Sequence, residues 1–179
     1  MKKELKELIQ ADVYRQFDKI PKRKSIQLKY QIVWRKASFH EKKSLPGLWY
    51  RYKLQKISEK SGIQIPTKAK IGKGFFIAHF GTIIVNPDAV LGENVNIAPG
   101  VIIGKANRGE KKGVPTIGNQ VWIGANSVIV GNVTIGDDVL IAPGAYVNMD
   151  VPSHSVVLGN PAVIHTKENA TEGYINRVV

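Results

Sequence analysis

The sequence predicts a mainly β fold, a parallel β-helix entered through a basic α-helical region, and three observations predict it. Aliphatic residues recur at intervals of six through most of residues 65–147. A small residue follows most of them. The preceding sixty residues show helical spacing instead and carry almost all of the net charge.

The helical region comes first. Leu5, Leu8, Ile9, Asp12–Val13 and Phe17 lie near helical spacing, which predicts an amphipathic helix over 3–18, ended before Pro21. Further helices are predicted over Ile26–Ala37 and, after the Pro46-Gly47 breaker, over Leu48–Ser61, with Gly62 as C-cap. Residues 1–62 hold 17 basic and 6 acidic residues, a balance of +11; residues 63–179 hold 9 and 8, a balance of +1. Such a charge block is either a solvated face or an attraction to an anionic membrane surface or substrate. The third helix mixes aromatic and basic residues, the composition of a packed helix or of a membrane-surface helix. No groove-reading motif accompanies the charge, so a nucleic-acid partner is not expected.

From Ile65 the period changes. Ile65, Ile71 and Ile77 are followed by Val85, Leu91, Ile97 and Ile103, and then by Ile117, Ile123, Ile129, Ile135, Ile141 and Val147. Gly72, Ala78, Gly92, Ala98, Gly104, Gly118, Gly124, Gly136 and Ala142 come next after their aliphatic residues. A period of six fits neither an amphipathic helix nor a hairpin ladder. It fits short parallel strands that turn at each small residue, with about fifteen hexads making roughly five triangular coils. The predicted organisation is a helical region over 1–62, a β-helix over 63–165 with a loop protruding at 104–116, and a tail over 166–179.

Composition narrows the chemistry. Apolar residues make up 43%, and there is no cysteine for a disulfide or a thiolate metal site. His40, His154 and His165 show no metal-ligand spacing with His79, so no metal is expected. The segment GKANRGEKKG lacks the order of a phosphate-binding loop. MKKELKELIQ has no unbroken apolar stretch, which reads as neither signal peptide nor membrane span, and a cytoplasmic protein is expected, at most at the inner face of the membrane.

The hexads, GNPA at Gly159–Ala162, and IAHFGTIIVNPDAVLGENVNIAPGVIIGK resemble the hexapeptide-repeat acyltransferases, serine acetyltransferase branch. The lead-in LIQADVYRQF, the loop KANRGEKKGVPTIG and the tail EGYINR look closer to a sub-branch found among capsule and exopolysaccharide enzymes. The resemblance implies a left-handed coil, a homotrimer, acetyl-CoA as co-substrate, and His79 as the base that deprotonates an acceptor hydroxyl. Imidazole is the side chain best matched to that proton transfer near neutral pH. His79 is the third residue of its hexad, where Thr67, Lys73, Pro87, Glu93, Asn119 and Asp137 stand in others, so it points outward.

Three departures from the serine pattern bear on the acceptor. Ala78 stands where an Asp precedes the His, Gln64 where an orienting Asp lies, and Gly113-Val114 where an Arg-His pair is usual. Losing groups for a charged amino acid predicts a neutral sugar or polysaccharide-precursor hydroxyl instead. Serine acetylation and a non-catalytic trimeric scaffold are the alternatives. By resemblance, Gly104, Lys105, Ala125, Pro143 and Lys167 would hold acetyl-CoA between neighbouring prisms, with Gln64 or a backbone carbonyl orienting His79. Lys105, Asn107, Arg108, Lys111 and Lys112 of the loop would line the acceptor or CoA channel, unless the loop is a tolerated insertion. Trp122 would cover the pantetheine arm or pack at the trimer interface.

Overall fold

The computed structural model describes residues 3–17 and 19–179. Three helices, α1 (Lys3–Tyr14), α2 (Ile26–Phe39) and α3 (Leu45–Ser61), precede fifteen short strands. Helix α1 ends at Tyr14, earlier than its spacing predicts, because the chain turns there to send Arg15 into the prism; Asp18 lies outside the described residues. Helix α3 begins three residues before the expected Leu48. Ser44 caps it by accepting from the Gly47 amide at 3.1 Å, and a proline in the first turn needs no amide partner. Gly62 ends it at φ 77°, its N–H donating to the Ser58 carbonyl.

The strands form a parallel β-helix of about five coils with three faces. The first face stacks β1 (Ile63–Gln64), β4 (Ile83–Val85), β7 (Ile102–Gly104), β10 (Val128–Val130) and β13 (Tyr146–Val147). The second stacks β2 (Lys70–Ile71), β5 (Val90–Leu91), β8 (Thr116–Ile117) and β11 (Thr134–Ile135), with Val151 bridged to Ile135. The third stacks β3 (Phe76–Ile77), β6 (Asn96–Ile97), β9 (Val121–Ile123), β12 (Val139–Ile141) and β14 (Ser155–Leu158), to which β15 (Val163–Thr166) adds antiparallel.

Every member of the six-residue aliphatic column is buried except Ile71, which packs against the core from its edge. Tyr30, Trp34, Ala37 and Leu54 of α2 and α3 join the same apolar cluster as Ile63, Ile65 and Ile77, so the helices share one core with the first coil. The Tyr30 hydroxyl accepts from the Ile65 amide at 2.9 Å, and burial pushes its pKa well above the usual phenol range, so it stays protonated.

Small residues at the corners allow the coils to approach. A Cβ added at Gly92 would lie 2.6 Å from the Gly118 carbonyl oxygen, and one at Gly72 would lie 2.6 Å from that of Gly92. Gly92→Ala is therefore expected to destabilise the chain by about 1–3 kcal/mol, since backbone is the obstacle and cannot rotate away. Urea denaturation checks this; an unchanged midpoint would show that the coils separate freely there.

Candidate active site

The three edges of the prism divide the residues singled out in the sequence. Between the third and first faces runs the edge that carries His79. On the same face, Val85 to Ile103 and Ile129 to Val147 are each eighteen residues apart, and the coil between them is lengthened by the loop that leaves after Gly104. From Ile65 to Val85 the interval is twenty, and the two extra residues fall at Ala78–Thr82, between β3 and β4. This insertion pushes His79 and Phe80 out of the prism: both are exposed, Phe80 at 63%. A large apolar side chain beside a candidate base is a wall for a bound ligand.

The backbone at that corner is held on several sides although the side chains are free. The Ala78 carbonyl accepts from Gln27 Nε2 of α2 at 3.3 Å, and the Ala78 amide donates to the Ile97 carbonyl. The Gly81 amide donates to the Ser61 carbonyl at 2.9 Å, and the Gly100 amide to that of Thr82 at 2.6 Å. Gly81 sits at φ 137°, a conformation glycine alone adopts without strain. The imidazole of His79 makes no hydrogen bond among the described residues.

Below His79 on the same edge stack Pro99, Ala125 and Pro143. The Asn126 amide donates to the Pro99 carbonyl at 2.9 Å and the Gly144 amide to the Ala125 carbonyl at 2.8 Å. An added Cβ at Gly144 would meet nothing within 4 Å. The edge thus offers a strip of small side chains and open backbone running away from His79, a shape that fits an extended thioester arm.

Gly104 and Lys105 lie on the edge between the first and second faces. There the chain leaves the prism as a closed excursion: Ala106 and Gly113 form an antiparallel bridge, and the Asn132 amide donates to the Lys111 carbonyl at 2.8 Å. Lys111 pairs with Asp150 at 2.6 Å. Asn107, Arg108 and Lys112 are exposed, and neither Arg108 nor Glu110 has a hydrogen-bond or ion-pair partner among the described residues. One face of the prism, roughly 15–20 Å at about 3.3 Å per residue, separates this edge from His79.

Other expected partners fall elsewhere. Gln64 does not meet His79. It lies on β1, in a hollow of about 390 Å³ with Tyr30, Arg51 and Thr67, because the inserted corner carries the imidazole away from the first face. Lys167 is exposed beyond β15, its amide bonded to the His154 carbonyl, on the third edge. Trp122 projects from β9 and packs against the chain's own Tyr174, with ring centroids 4.9 Å apart.

That third edge holds a polar cluster that no motif in the sequence marks. His154 Nδ1 lies 2.9 Å from Asp138 Oδ2, and Asp138 also accepts from the Ala170 and Thr171 amides and the Thr171 hydroxyl. Partial burial pushes the Asp138 carboxyl up, but the bonds from Thr171, His154 and Ala170 outweigh it and hold it below the usual range. The Asp138 bond in turn raises His154. The cluster fastens the tail to the prism. No group of three or more metal-ligating side chains occurs among the described residues.

Residues 115–148 match the family described as bacterial transferase hexapeptide (six repeats). Over 108 residues the hexapeptide-repeat chain is 37% identical to the serine acetyltransferase of Helicobacter pylori, covering 60% of itself and 63% of that relative. It spans between 30% and 63% of the length of the first curated relatives it matches. Its structure resembles the serine acetyltransferase of Brucella abortus strain S19, with TM-score 0.78 and 27% identity over 94% of this chain and 71% of that one. The same Brucella enzyme in complex with Coenzyme A also gives 0.78, at 26% identity over 92% of this chain and 69% of that one. Soybean serine acetyltransferase complexed with serine gives 0.76, at 27% identity over 90% and 69%. These matches support the hexapeptide-repeat acyltransferase family.

They also overturn the expected sugar acceptor and the capsule sub-branch, since the relatives and structures matched here are serine acetyltransferases. The physical reason lies in Gly113. A Cβ there would sit 2.8 Å from Asn132 Cβ, so the closed loop itself demands glycine. Its lack of a charged side chain is dictated by packing and reports nothing about the acceptor.

Proposed function

We propose that the chain is an acetyl-CoA-dependent serine O-acetyltransferase with His79 as the general base. The observation that carries this reading is an exposed histidine at an inserted corner, beside an open strip of backbone, in a chain that resembles serine acetyltransferases over most of its length. In the proposed reaction the imidazole takes the serine hydroxyl proton as that oxygen attacks the thioester carbonyl. The C–S bond then breaks, and the imidazolium returns its proton to the leaving thiolate. Ala125 and Pro143 would flank the thioester arm.

The loop residues Gly104, Lys105 and Arg108 stand one face away from His79, so a single chain does not assemble the site. We propose a homotrimer in which the loop edge of one copy faces the His79 edge of the next. Arg108 would then meet the serine carboxylate and Glu110 its ammonium, the charges that Ala78 and Gly113 do not supply.

The deciding experiment is thiol release from acetyl-CoA with L-serine and with a panel of sugars, on protein whose mass is fixed by light scattering. A trimer that acetylates serine with kcat/KM above about 10⁴ M⁻¹s⁻¹ is expected, with Arg108→Ala raising KM for serine. Acetyl-CoA binding without serine turnover would overturn the acceptor, and a monomer would overturn the shared site.

A further inference from the structure

Helix α3 is apolar on two opposite sides. Gly47, Tyr50, Leu54, Ile57 and Ser61 recur at helical spacing and face the protein. Leu45, Leu48, Trp49 and Tyr52 stand at i, i+3, i+4 and i+7 on the other side, and they are 85%, 55%, 54% and 55% exposed. A helix that only packs against its own domain carries one such stripe. The outward stripe continues into a groove of about 450 Å³ between α3 and α2, floored by Ile32, Val33 and Ile57. Lys24, Lys29, Lys53 and Lys56 rim the groove, Lys56 paired with Glu59 at 3.3 Å, and among the described residues no acidic side chain lines the groove itself. The Lys53 ammonium lies 4.6 Å from the centre of the Trp49 ring, and Trp49 stacks on Tyr52.

We propose that this outward face of α3, with its lysine rim, docks onto an anionic lipid bilayer. Aromatic and leucine side chains flanked by lysines match the boundary between headgroups and acyl chains: the rings enter and the ammonium groups stay with the phosphates. The balance of +11 over residues 1–62 adds the long-range attraction. The contact is peripheral, since among the described residues no helix is long and apolar enough to cross a membrane. A second copy of the chain is disfavoured as occupant, because a two-fold contact would set the lysine rim against itself and the three-fold contact proposed above uses the His79 and loop edges instead. Nucleic acid fits poorly, because the centre of the surface is apolar.

The test is sedimentation of the full chain with vesicles of phosphatidylcholine alone or with about 30% phosphatidylglycerol, at about 0.1 M salt. The chain is expected to pellet with the anionic vesicles and to be released as salt rises. Trp49→Ala/Tyr52→Ala should weaken partitioning at least about tenfold, and Lys53→Ala/Lys56→Ala about thirtyfold. All four side chains are exposed, so the melting temperature should stay near that of the parent. Equal binding to both vesicle types, no binding, or binding untouched by either double variant overturns the proposal. Self-association lost in the variants without lipid binding would assign the face to a second copy. Tighter binding to duplex DNA than to vesicles would assign it to nucleic acid. Partitioning is read without turnover, so a failure of the serine reading leaves this test intact.

Discussion

Replacing His79 by alanine is expected to lower kcat for serine acetylation by about 10²–10⁴, the usual contribution of a positioned base. The prediction separates catalysis from structure because the imidazole is exposed and makes no hydrogen bond among the described residues. Surface side chains of that kind change stability by less than about 0.5 kcal/mol. The corner's backbone bonds to Gln27, Ser61, Ile97 and Gly100 do not involve the side chain, so Ala78–Thr82 should keep its course. Acetyl-CoA binding, measured by calorimetry, should change little. A folded His79→Ala protein that turns over within about threefold of the parent would remove His79 from the mechanism and leave the His154–Asp138 pair as the remaining candidate base.

The hexad periodicity made the prism legible because every buried position repeats one requirement, an aliphatic side chain facing a narrow interior. The same periodicity held the clue to the site. The jump from Ile77 to Val85 is two residues longer than the six-residue interval, and the excess falls on His79 and Phe80. What the repeat could not show is which edge each outward residue reaches. His79, Ala125 and Pro143 share an edge, whereas Gly104 and Lys105 sit a face away and Lys167 lies on the third edge. Gly113 misled for a related reason. Its identity answers to Asn132, nineteen positions further on and in the next coil, and only the folded chain brings the two together. Asp12 falls at helical spacing with the apolar positions of α1, but its partner Arg35 lies on a different helix, so only the fold reveals the pair.

That Asp12–Arg35 pair carries the largest stability effect expected of a single substitution. Asp12 accepts from Arg35 Nε at 2.7 Å, from Arg35 Nη2 at 2.9 Å and from the Phe75 amide at 2.9 Å. Arg35 also donates to the carbonyls of Ile71 at 2.7 Å and Gly72 at 2.5 Å. Both side chains are almost fully buried, so the pair ties α1, α2 and the first coil together just ahead of β3 and His79. Asp12→Ala leaves a buried guanidinium without its counter-charge and the Phe75 amide without an acceptor. The expected loss is about 3–5 kcal/mol, against a total stability of about 5–15 kcal/mol for a domain. At about 2–4 °C per kcal/mol for a chain of this size, the melting temperature should fall by about 6–20 °C. The double variant Asp12→Leu/Arg35→Met removes both charges and should recover part of the loss. It should not recover all of it, because the carbonyls of Ile71 and Gly72 and the Phe75 amide stay unpaired. Urea denaturation of both variants and the parent gives the comparison. A loss below about 1 kcal/mol for Asp12→Ala, in the range of an exposed pair, would mean that water enters the junction and that apolar packing and the neutral bonds from Gln27, Tyr30 and Gln31 hold the helices to the first coil.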